Sequence, residues 1–170
     1  SDLYLREVPN AVAPFEVSDA AGMHERVTYE PRGVVAHVSA WNYPYFVGLN
    51  SIVPALLCGN AVLYKPSEVA TMTGLQLVDL AHGAGVPVDV LQCVTGGGAT
   101  GAALVASGVD LVCFTGSYAT GRAIARAAAE HLVPVQLELG GKDAVYVCDD
   151  VDVEAVAASV AEGVFYNAGQ

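Results

Sequence analysis

The sequence predicts an α/β fold built on a mostly parallel sheet with helices on both faces. Short apolar runs rich in Val and Leu alternate with longer segments of helical period, as in parallel sheets whose strands are joined by helices. The runs lack a regular polar alternation, which is typical of strands buried on both faces. The 170 residues are 54% apolar and 15% charged, so disorder is excluded and one domain is expected.

Six strands are predicted, because six brief apolar runs are bounded by turn residues. They cover residues 34–39, 61–64, 90–94, 111–115, 135–138 and 145–148. Apolar residues at spacings of three and four predict helices between and after them, at residues 45–58, 72–84, 99–107, 118–131 and 153–165. Asp149, Asp150 and Asp152 precede the last helix, where carboxylates suit the positive end of the helix dipole.

The first thirty residues differ from the rest of the chain. They contain two prolines and no clear hydrophobic period. Residues 1–30 are therefore predicted to form an extension or linker that leads into the first strand.

The charge pattern argues against a nucleic-acid partner. Asp and Glu number 18 against 7 Lys and Arg, a net charge of −11, and no basic cluster could follow a phosphate backbone. Membrane insertion is not expected either, because Pro and Asn interrupt the charge-free stretch 33–64 well before the ~20 apolar residues of a spanning helix. No signal-peptide pattern is visible, and a cytoplasmic location is expected.

The four cysteines are predicted to be buried, reduced side chains that act as small apolar residues. Each lies in an apolar run, and none belongs to a CxxC pair or has a His at ligand spacing, so no metal site is expected. They are Cys58, Cys93, Cys113 and Cys148.

Two glycine-containing strings could contact a nucleotide. Residues 96–101 (GGGATG) match the dinucleotide pattern, but the acidic residue expected about 20 positions later is missing, so a tight turn and a cofactor contact both stay open. Gly116 and Ser117 end a predicted strand and open a helix that contains Gly121. The free N–H groups of that helix start favour an anion, although Ser117 could serve only as the helix cap.

Lys65 and Glu68 follow a predicted strand, and the carboxyl ends of strands are where open α/β sheets bind ligands. The two side chains could hydrogen-bond the two hydroxyls of a ribose. They could also form only a surface ion pair, which contributes little to stability.

Two more polar residues are candidates for chemistry. Glu138 lies between two leucines at the end of a strand, where it is either paired with Lys142 or Arg122 or desolvated as a general base. Asn42 lies in an apolar turn. Its amide could donate to an oxyanion, although a turn-forming role explains it equally well.

In this order, the motifs resemble the aldehyde dehydrogenase superfamily. The matching strings are PRGVVAHVSAWNYP, GNAVLYKPSE, FTGSYATG, QLELGGK and FYNAGQ, between about Arg32 and Gln170. The resemblance implies that residues 31–170 are part of a Rossmann-like NAD-binding domain. It also implies an enzyme that oxidises an aldehyde to a carboxylic acid through a cysteine thiohemiacetal and a thioester.

The resemblance implies roles for the motif residues as well. Asn42 would stabilise the oxyanion, and Glu138 would activate water. Lys65 and Glu68 would hold the adenosine ribose, which implies NAD rather than NADP because a carboxylate repels a 2′-phosphate. The full set implied to contact the cofactor is Trp41, Lys65, Glu68, Gly98, Gly116, Ser117, Gly121 and Leu139. The family also implies an aldehyde substrate and a homodimer or homotetramer.

The nucleophile is the point where the sequence departs from the family. Family members carry the nucleophilic cysteine shortly after an N-x-G-Q string, which here occupies residues 167–170. None of the four cysteines has that place, so the nucleophile is expected beyond these residues. The alternative is a non-catalytic module that binds a nucleotide or a partner subunit.

Overall fold

The computed structural model describes residues 2–20, 22–141 and 143–166. The chain divides into two compact units, residues 1–140 and residues 141–170. The string at residues 167–170 and the side chain of Lys142 lie outside the described residues.

The first unit begins with a helix and a hairpin that the sequence analysis did not identify. Helix α1 is Asp2–Ala11, and strands β1 (Phe15–Ala20) and β2 (Met23–Val27) pair antiparallel. Helix α1 has no buried residue and contains Pro9, and β2 is exposed apart from Val27. These elements bury too little apolar surface to produce a clear hydrophobic period.

The core of this unit is the predicted parallel sheet. It consists of β3 (Val34–Val38), β4 (Ala61–Lys65), β5 (Leu91–Cys93), β6 (Leu111–Gly116) and β7 (Val135–Leu139). Their order is β5-β4-β3-β6-β7, and every neighbouring pair is parallel. The α/β fold class is confirmed, and five of the six predicted strands are present.

Four helices connect these strands and cover both faces of the sheet. They are α2 (Pro44–Leu57), α3 (Thr71–Gly83), α4 (Gly98–Val105) and α5 (Tyr118–Ala129), with a short 3-10 turn at Glu68–Ala70. Each begins and ends within two residues of its predicted bounds. A helix is thus inserted between every pair of consecutive strands in this sheet.

Alternate residues of the strands belong to two separate apolar layers, as the pleat of a strand requires. On one face, Ala36, Val112 and Phe114 pack with residues of α4 and α5 such as Val105 and Ile124. The opposite layer is formed with α2 and α3, and its buried members are Val35, Ile52, Val62, Tyr64, Leu77, Val78, Leu91 and Cys113. The predicted burial of both sheet faces is therefore confirmed for β3, β4 and β6, whereas β7 has no buried residue.

The second unit contains helix α6 (Val153–Phe165), with the predicted bounds. Asp152 caps it, since its Oδ1 accepts from Glu154 N at 3.0 Å and Ala155 N at 3.3 Å. The strand predicted at residues 145–148 is wrong, because these residues form no ladder. Residues 143–166 provide no neighbouring strand with which to pair, and apolar content alone does not make a strand.

Candidate functional site

The sheet reverses its direction of growth at β3. From β3 the chain adds β4 and β5 on one side, and it then returns to add β6 and β7 on the other. In open sheets of this kind, the carboxyl ends of the strands at the reversal, here β3 and β6, border a ligand-binding crevice. The residues that follow β3, β4, β6 and β7 therefore surround the candidate site.

Lys65, at the end of β4, combines a buried ammonium group with an exposed acidic neighbour. Lys65 is 3% exposed, and its Nζ donates to the Pro66 carbonyl oxygen at 3.0 Å. Glu68 Oε2 lies 3.9 Å from Nζ, an ion-pair separation too long for a hydrogen bond, and its side chain is 64% exposed. An ammonium has three N–H donors, and the bond to Pro66 uses one. The pair can both donate to and accept from neighbouring hydroxyls.

The glycine-rich string packs beside Lys65. A Cβ on Gly101 would lie 3.6 Å from Lys65 Cδ. Gly96 has a φ of 148°, and a Cβ there would collide with Thr100, so the turn before α4 requires glycine. A Cβ on Gly98 would meet no described atom within 4 Å. The string is therefore a tight turn, with open space at Gly98 and a packing contact between Gly101 and Lys65.

Ser117 caps α5, as one of the two interpretations of its motif predicts. Its Oγ accepts from Thr120 N at 3.2 Å and donates to Thr120 Oγ1 at 3.0 Å. Gly121 N donates to the Ser117 carbonyl oxygen at 2.9 Å. The positive end of the α5 dipole lies directly after β6, so an anionic group in the crevice would be stabilised there.

Glycine is required at two positions near the start of α5. A Cβ on Gly121 would come within 2.5 Å of Leu139 Cδ2, and a Cβ on Gly116 would come within 2.5 Å of Phe114 Cζ. Real Cβ atoms do not approach other atoms this closely, so neither site has room for a side chain without movement. Gly121 thereby lets the first turn of α5 pack against the end of β7, while Gly116 leaves room for the Phe114 ring of its own strand.

Glu138 and Leu139 point to opposite faces of the sheet, because they are consecutive in β7. Leu137 belongs to the layer with α4 and α5, and Leu139 contacts Gly121 of α5. Gln136, two residues before Glu138, accepts from Cys113 Sγ at 3.5 Å, and Cys113 belongs to the layer with α2. Glu138 therefore faces the α2 side, on which Asn42 begins the turn into that helix.

The desolvation expected of Glu138 is wrong, since its side chain is exposed. Two flanking leucines suggested burial, but both of them point to the opposite face from Glu138. No ion pair joins Glu138 to Arg122 within the described residues. The carboxylate is open to solvent on the α2 side, where a water molecule can reach it.

Asn42 and Trp41 lie in the turn between β3 and α2. Both are exposed, and Trp41 is 54% exposed. The amide of Asn42 makes no hydrogen bond to any residue of the described ranges. Tyr43, Tyr45 and Phe46, which follow in the chain, are exposed as well. This end of α2 therefore presents an unbonded amide beside several aromatic rings.

The four cysteines have different surroundings. Cys113 is buried in β6, and Cys58 and Cys93 are half-buried. The burial predicted for Cys148 is wrong, because Cys148 is exposed in a stretch without secondary structure. Burial raises the pKa of the Cys113 thiol. It also raises the pKa of Cys93, which Asp79 raises further and Lys65 lowers. None of the three cysteines in the first unit is exposed.

His37 and Tyr64 are two buried residues next to the candidate site that the sequence did not single out. Both are fully buried, and their rings stack with centroids 5.5 Å apart and an 18° angle. His37 Nδ1 lies 3.4 Å from the Cys113 carbonyl oxygen, and Nε2 lies 3.2 Å from the Val47 carbonyl oxygen. The one available signal was an imidazole inside an otherwise apolar strand.

Among residues 2–20, 22–141 and 143–166, no group of three or more His, Cys, Asp or Glu side chains could hold a metal ion. In the same ranges, no helix has both the length and the apolar content to cross a membrane.

Comparison with known proteins identifies close relatives. The sequence profile described as "Aldehyde dehydrogenase family" matches residues 4–170. The chain is 43% identical over 166 residues to 4,4'-diapolycopene aldehyde oxidase of Methylomonas sp, covering 98% of this chain and 31% of that protein. It is 44% identical over 142 residues to betaine aldehyde dehydrogenase 2 of Rhizobium meliloti, covering 83% of this chain and 30% of that protein.

Comparison of the fold with solved structures also identifies aldehyde dehydrogenases. A Mycobacterium tuberculosis aldehyde dehydrogenase, solved in complex with NAD+, superposes with a TM-score of 0.92 and 37% identity, over 99% of this chain and 35% of that one. The sequence therefore spans about a third of the length of these relatives.

Proposed function

This chain belongs to the aldehyde dehydrogenase family, and on that basis we propose that it carries the NAD site and the general base of an enzyme that oxidises an aldehyde to a carboxylic acid. The observation that carries the proposal is the convergence of the motifs on one edge of one parallel sheet. Lys65, Ser117 and Glu138 come from three different strand ends of that edge, around the reversal point where such sheets bind nucleotides.

We propose that Lys65 and Glu68 hold the adenosine ribose. The buried ammonium donates to a hydroxyl oxygen, and the exposed carboxylate accepts from a hydroxyl. A 2′-phosphate would lie beside the Glu68 carboxylate and be repelled, so this pair favours NAD over NADP. Gly98, with open space in front of it, is proposed to border the adenine.

The remaining cofactor contacts are proposed around the reversal point. Gly116, Ser117 and Gly121 would admit the pyrophosphate to the start of α5, where the N–H groups and the dipole favour an anion. Leu139 would lie near the nicotinamide, and Trp41 would contact the cofactor. When bound, the nicotinamide ring supplies the hydride acceptor.

The chemical steps divide between residues of the α2 side and a thiolate. The thiolate sulfur attacks the aldehyde carbon, and the Asn42 amide donates to the oxygen that becomes negative. Loss of hydride from that carbon leaves a thioester. Glu138 then takes a proton from a water molecule, which attacks the thioester and releases the carboxylic acid and the thiolate. Because none of Cys58, Cys93, Cys113 and Cys148 follows the N-x-G-Q string after which the family carries its nucleophile, we propose that the thiolate belongs to a residue outside these 170.

The remaining proposals concern the substrate class, the oligomeric state and the cellular location. The exposed rings of Tyr43, Tyr45 and Phe46 would form one wall of an aldehyde-binding space, which favours an aldehyde with an apolar surface. A homodimer or homotetramer and a cytoplasmic location stay predictions from the sequence.

A second candidate function is a nucleotide-binding module without chemistry. The positions of the four cysteines in the sequence favour it, since none of them follows the N-x-G-Q string after which the family carries its nucleophile. Such a module would use Lys65 and Glu68 but would gain nothing from Asn42 or Glu138.

The test is aldehyde-dependent formation of NADH by the intact protein that carries this chain, combined with a calorimetric titration of NAD. We expect NAD binding and NADH formation that requires aldehyde. NAD binding without NADH formation for any of a panel of aliphatic, aromatic and amino aldehydes would support the module. Absence of both would contradict the cofactor site itself.

A further inference from the structure

The turn that carries Asn42 consists of residues 40–42, called the arch below, and backbone hydrogen bonds hold it at both ends. At one end, Ser39 N donates to the Lys65 carbonyl oxygen at 3.0 Å, which holds the end of β3 to β4. At the other end, Val47 N donates to the Tyr43 carbonyl oxygen at 2.8 Å, which closes the first turn of α2. Only three residues separate these ends. Since the Asn42 amide makes no bond to the described residues, its position depends on the backbone of the arch.

His37 connects the second end of the arch to the sheet. Its Nε2 lies 3.2 Å from the Val47 carbonyl oxygen, in the same residue whose N–H holds Tyr43. Its Nδ1 lies 3.4 Å from the Cys113 carbonyl oxygen in β6. The flat face of the ring stacks on Tyr64 of β4. One buried ring therefore contacts α2, β6 and β4 from within β3.

The shorter of the two ring contacts identifies the bond that matters for the arch. Burial lowers the pKa of His37 to about 4, so the ring is neutral at pH 7 and has one N–H to donate. Only one of the two carbonyl oxygens can accept it. The Val47 contact is the shorter, and Nε2–H donation there would fix the first turn of α2 relative to the sheet.

We propose that His37 is a positioning residue for the oxyanion donor: by donating Nε2–H to the Val47 carbonyl oxygen, it holds the arch that carries Asn42 at a fixed place on the β3–β6 edge. The catalytic part of this inference rests on the proposed function. The structural part, that His37 fixes Val47 and Tyr43, does not.

Four variants of the intact protein test it. His37→Leu removes both ring nitrogens at similar side-chain volume, His37→Gln restores a donor at the reach of Nε2, and His37→Asn restores one only at the reach of Nδ1. His82→Leu is the matched control. His82 Nε2 also lies within hydrogen-bond distance of a backbone carbonyl oxygen, that of Leu91, at 2.9 Å, but at the far edge of the same sheet.

The first measurement is hydrogen exchange at the Val47 amide, which does not depend on any activity. We expect exchange to be about tenfold faster in His37→Leu and His37→Asn than in the parent and in His82→Leu, with His37→Gln close to the parent. Equal exchange in parent and His37→Leu would overturn the proposal. If His37→Leu does not fold, the comparison of His37→Gln with His37→Asn decides the same question, and equal exchange in these two would overturn it.

The second measurement separates kcat from cofactor binding. We expect His37→Leu to lower kcat by about tenfold, less than the roughly 100-fold loss on removing an oxyanion donor itself, while the Kd of NAD stays within twofold. A fall in NAD affinity equal to the fall in kcat, or no recovery of kcat in His37→Gln, would contradict positioning of Asn42. A parent without aldehyde-dependent NADH formation would contradict the proposed function, while the exchange result would still decide whether His37 holds the arch.

Discussion

Gly121 and Leu139 lie so close together that a methyl group on Gly121 would be 2.5 Å from Leu139 Cδ2. This contact joins the first turn of α5 to the last residue of β7 in the described sheet. Glu138, the proposed base, precedes Leu139 and points to the opposite face, and Gly121 lies one turn after Ser117, the cap of α5. One packing contact therefore lies next to both the proposed pyrophosphate site and the proposed base.

Gly121→Ala is expected to disturb both the cofactor site and stability. The new methyl group must displace Leu139 or the start of α5, at a cost of about 1–3 kcal/mol for overpacking. NAD affinity should fall with it. Gly83→Ala in α3 is the control, because a Cβ there meets no described atom within 4 Å and alanine favours a helix. Calorimetric titration and urea unfolding check both variants, and an unchanged Kd for NAD in Gly121→Ala would contradict this role of the contact.

Glu68→Gln is expected to reduce the preference for NAD over NADP. Removing the carboxylate removes its repulsion of a 2′-phosphate, so the ratio of the Kd for NADP to the Kd for NAD should fall by about tenfold, equivalent to ~1.4 kcal/mol. Glu130→Gln, at the exposed end of α5, is the control and should leave the ratio unchanged. Titrations with both nucleotides measure it, and an unchanged ratio in Glu68→Gln would rule out contact between Glu68 and the ribose.

Lys65→Met is expected to weaken cofactor binding without lowering the stability of the fold. The buried ammonium is replaced by an apolar chain of similar length, an exchange that is often neutral or stabilising. We therefore expect weaker binding of both NAD and NADP with no loss in the urea midpoint. Loss of stability without loss of binding would mean that Lys65 is structural.

His37 should make the stability of the protein depend on pH below neutrality. The pKa of the ring is about 4 in the folded chain and about 6.5 when unfolded, so the unfolded state takes up the proton first. Above pH 6.5 the ring is neutral in both states and its full contribution is present. Stability is then lost as the pH falls from 6.5 towards 4, by up to ~3 kcal/mol. Between pH 6.5 and pH 4, the urea midpoint of the parent should therefore fall relative to that of His37→Gln. Parallel pH profiles of the two midpoints would contradict the burial of a neutral His37.

Leu132→Gly is expected to stabilise the protein. Leu132 has a φ of 56° and is 90% exposed. It follows α5 where Leu132 N donates to Ala129 O at 3.2 Å and Val133 N donates to Ala128 O at 3.0 Å, a helix ending that favours glycine. Relief of the left-handed strain should exceed the entropic cost of glycine, for a gain of up to ~1 kcal/mol. Leu132→Ala keeps the strain, and an equal midpoint in the two variants would contradict this explanation.

Much of this structure could be predicted from the sequence because its strands are buried on both faces. The five strands from β3 to β7 are mostly apolar, so their pattern is strong. The strand predicted at residues 145–148 has the same pattern, but pairing depends on a neighbour, which local composition does not reveal. The hairpin β1–β2 is present although no strand was predicted there, because exposed strands show little hydrophobic pattern.

The site residues were predictable where a motif marks them and not where packing alone does. Ser117 was predicted as a cap because Ser before a helix has a known role. The exposure of Glu138 was not, because its neighbours in sequence point to the other face of the sheet. His37 could not be recognised as a link between three elements, since its partners are the backbone carbonyls of Val47 and Cys113, distant from it in sequence or without any side-chain signature.

The measurement that tests the central claim most directly is the time course of NADH formation by Glu138→Gln in the intact protein, with Glu130→Gln as the matched control. If Glu138 activates the water that releases the acid, the variant should form about one NADH per site in a rapid first turnover and then slow by about 100-fold or more in the steady state. The control should turn over like the parent. A steady-state rate of Glu138→Gln equal to that of the parent would contradict the assignment of Glu138 as the base.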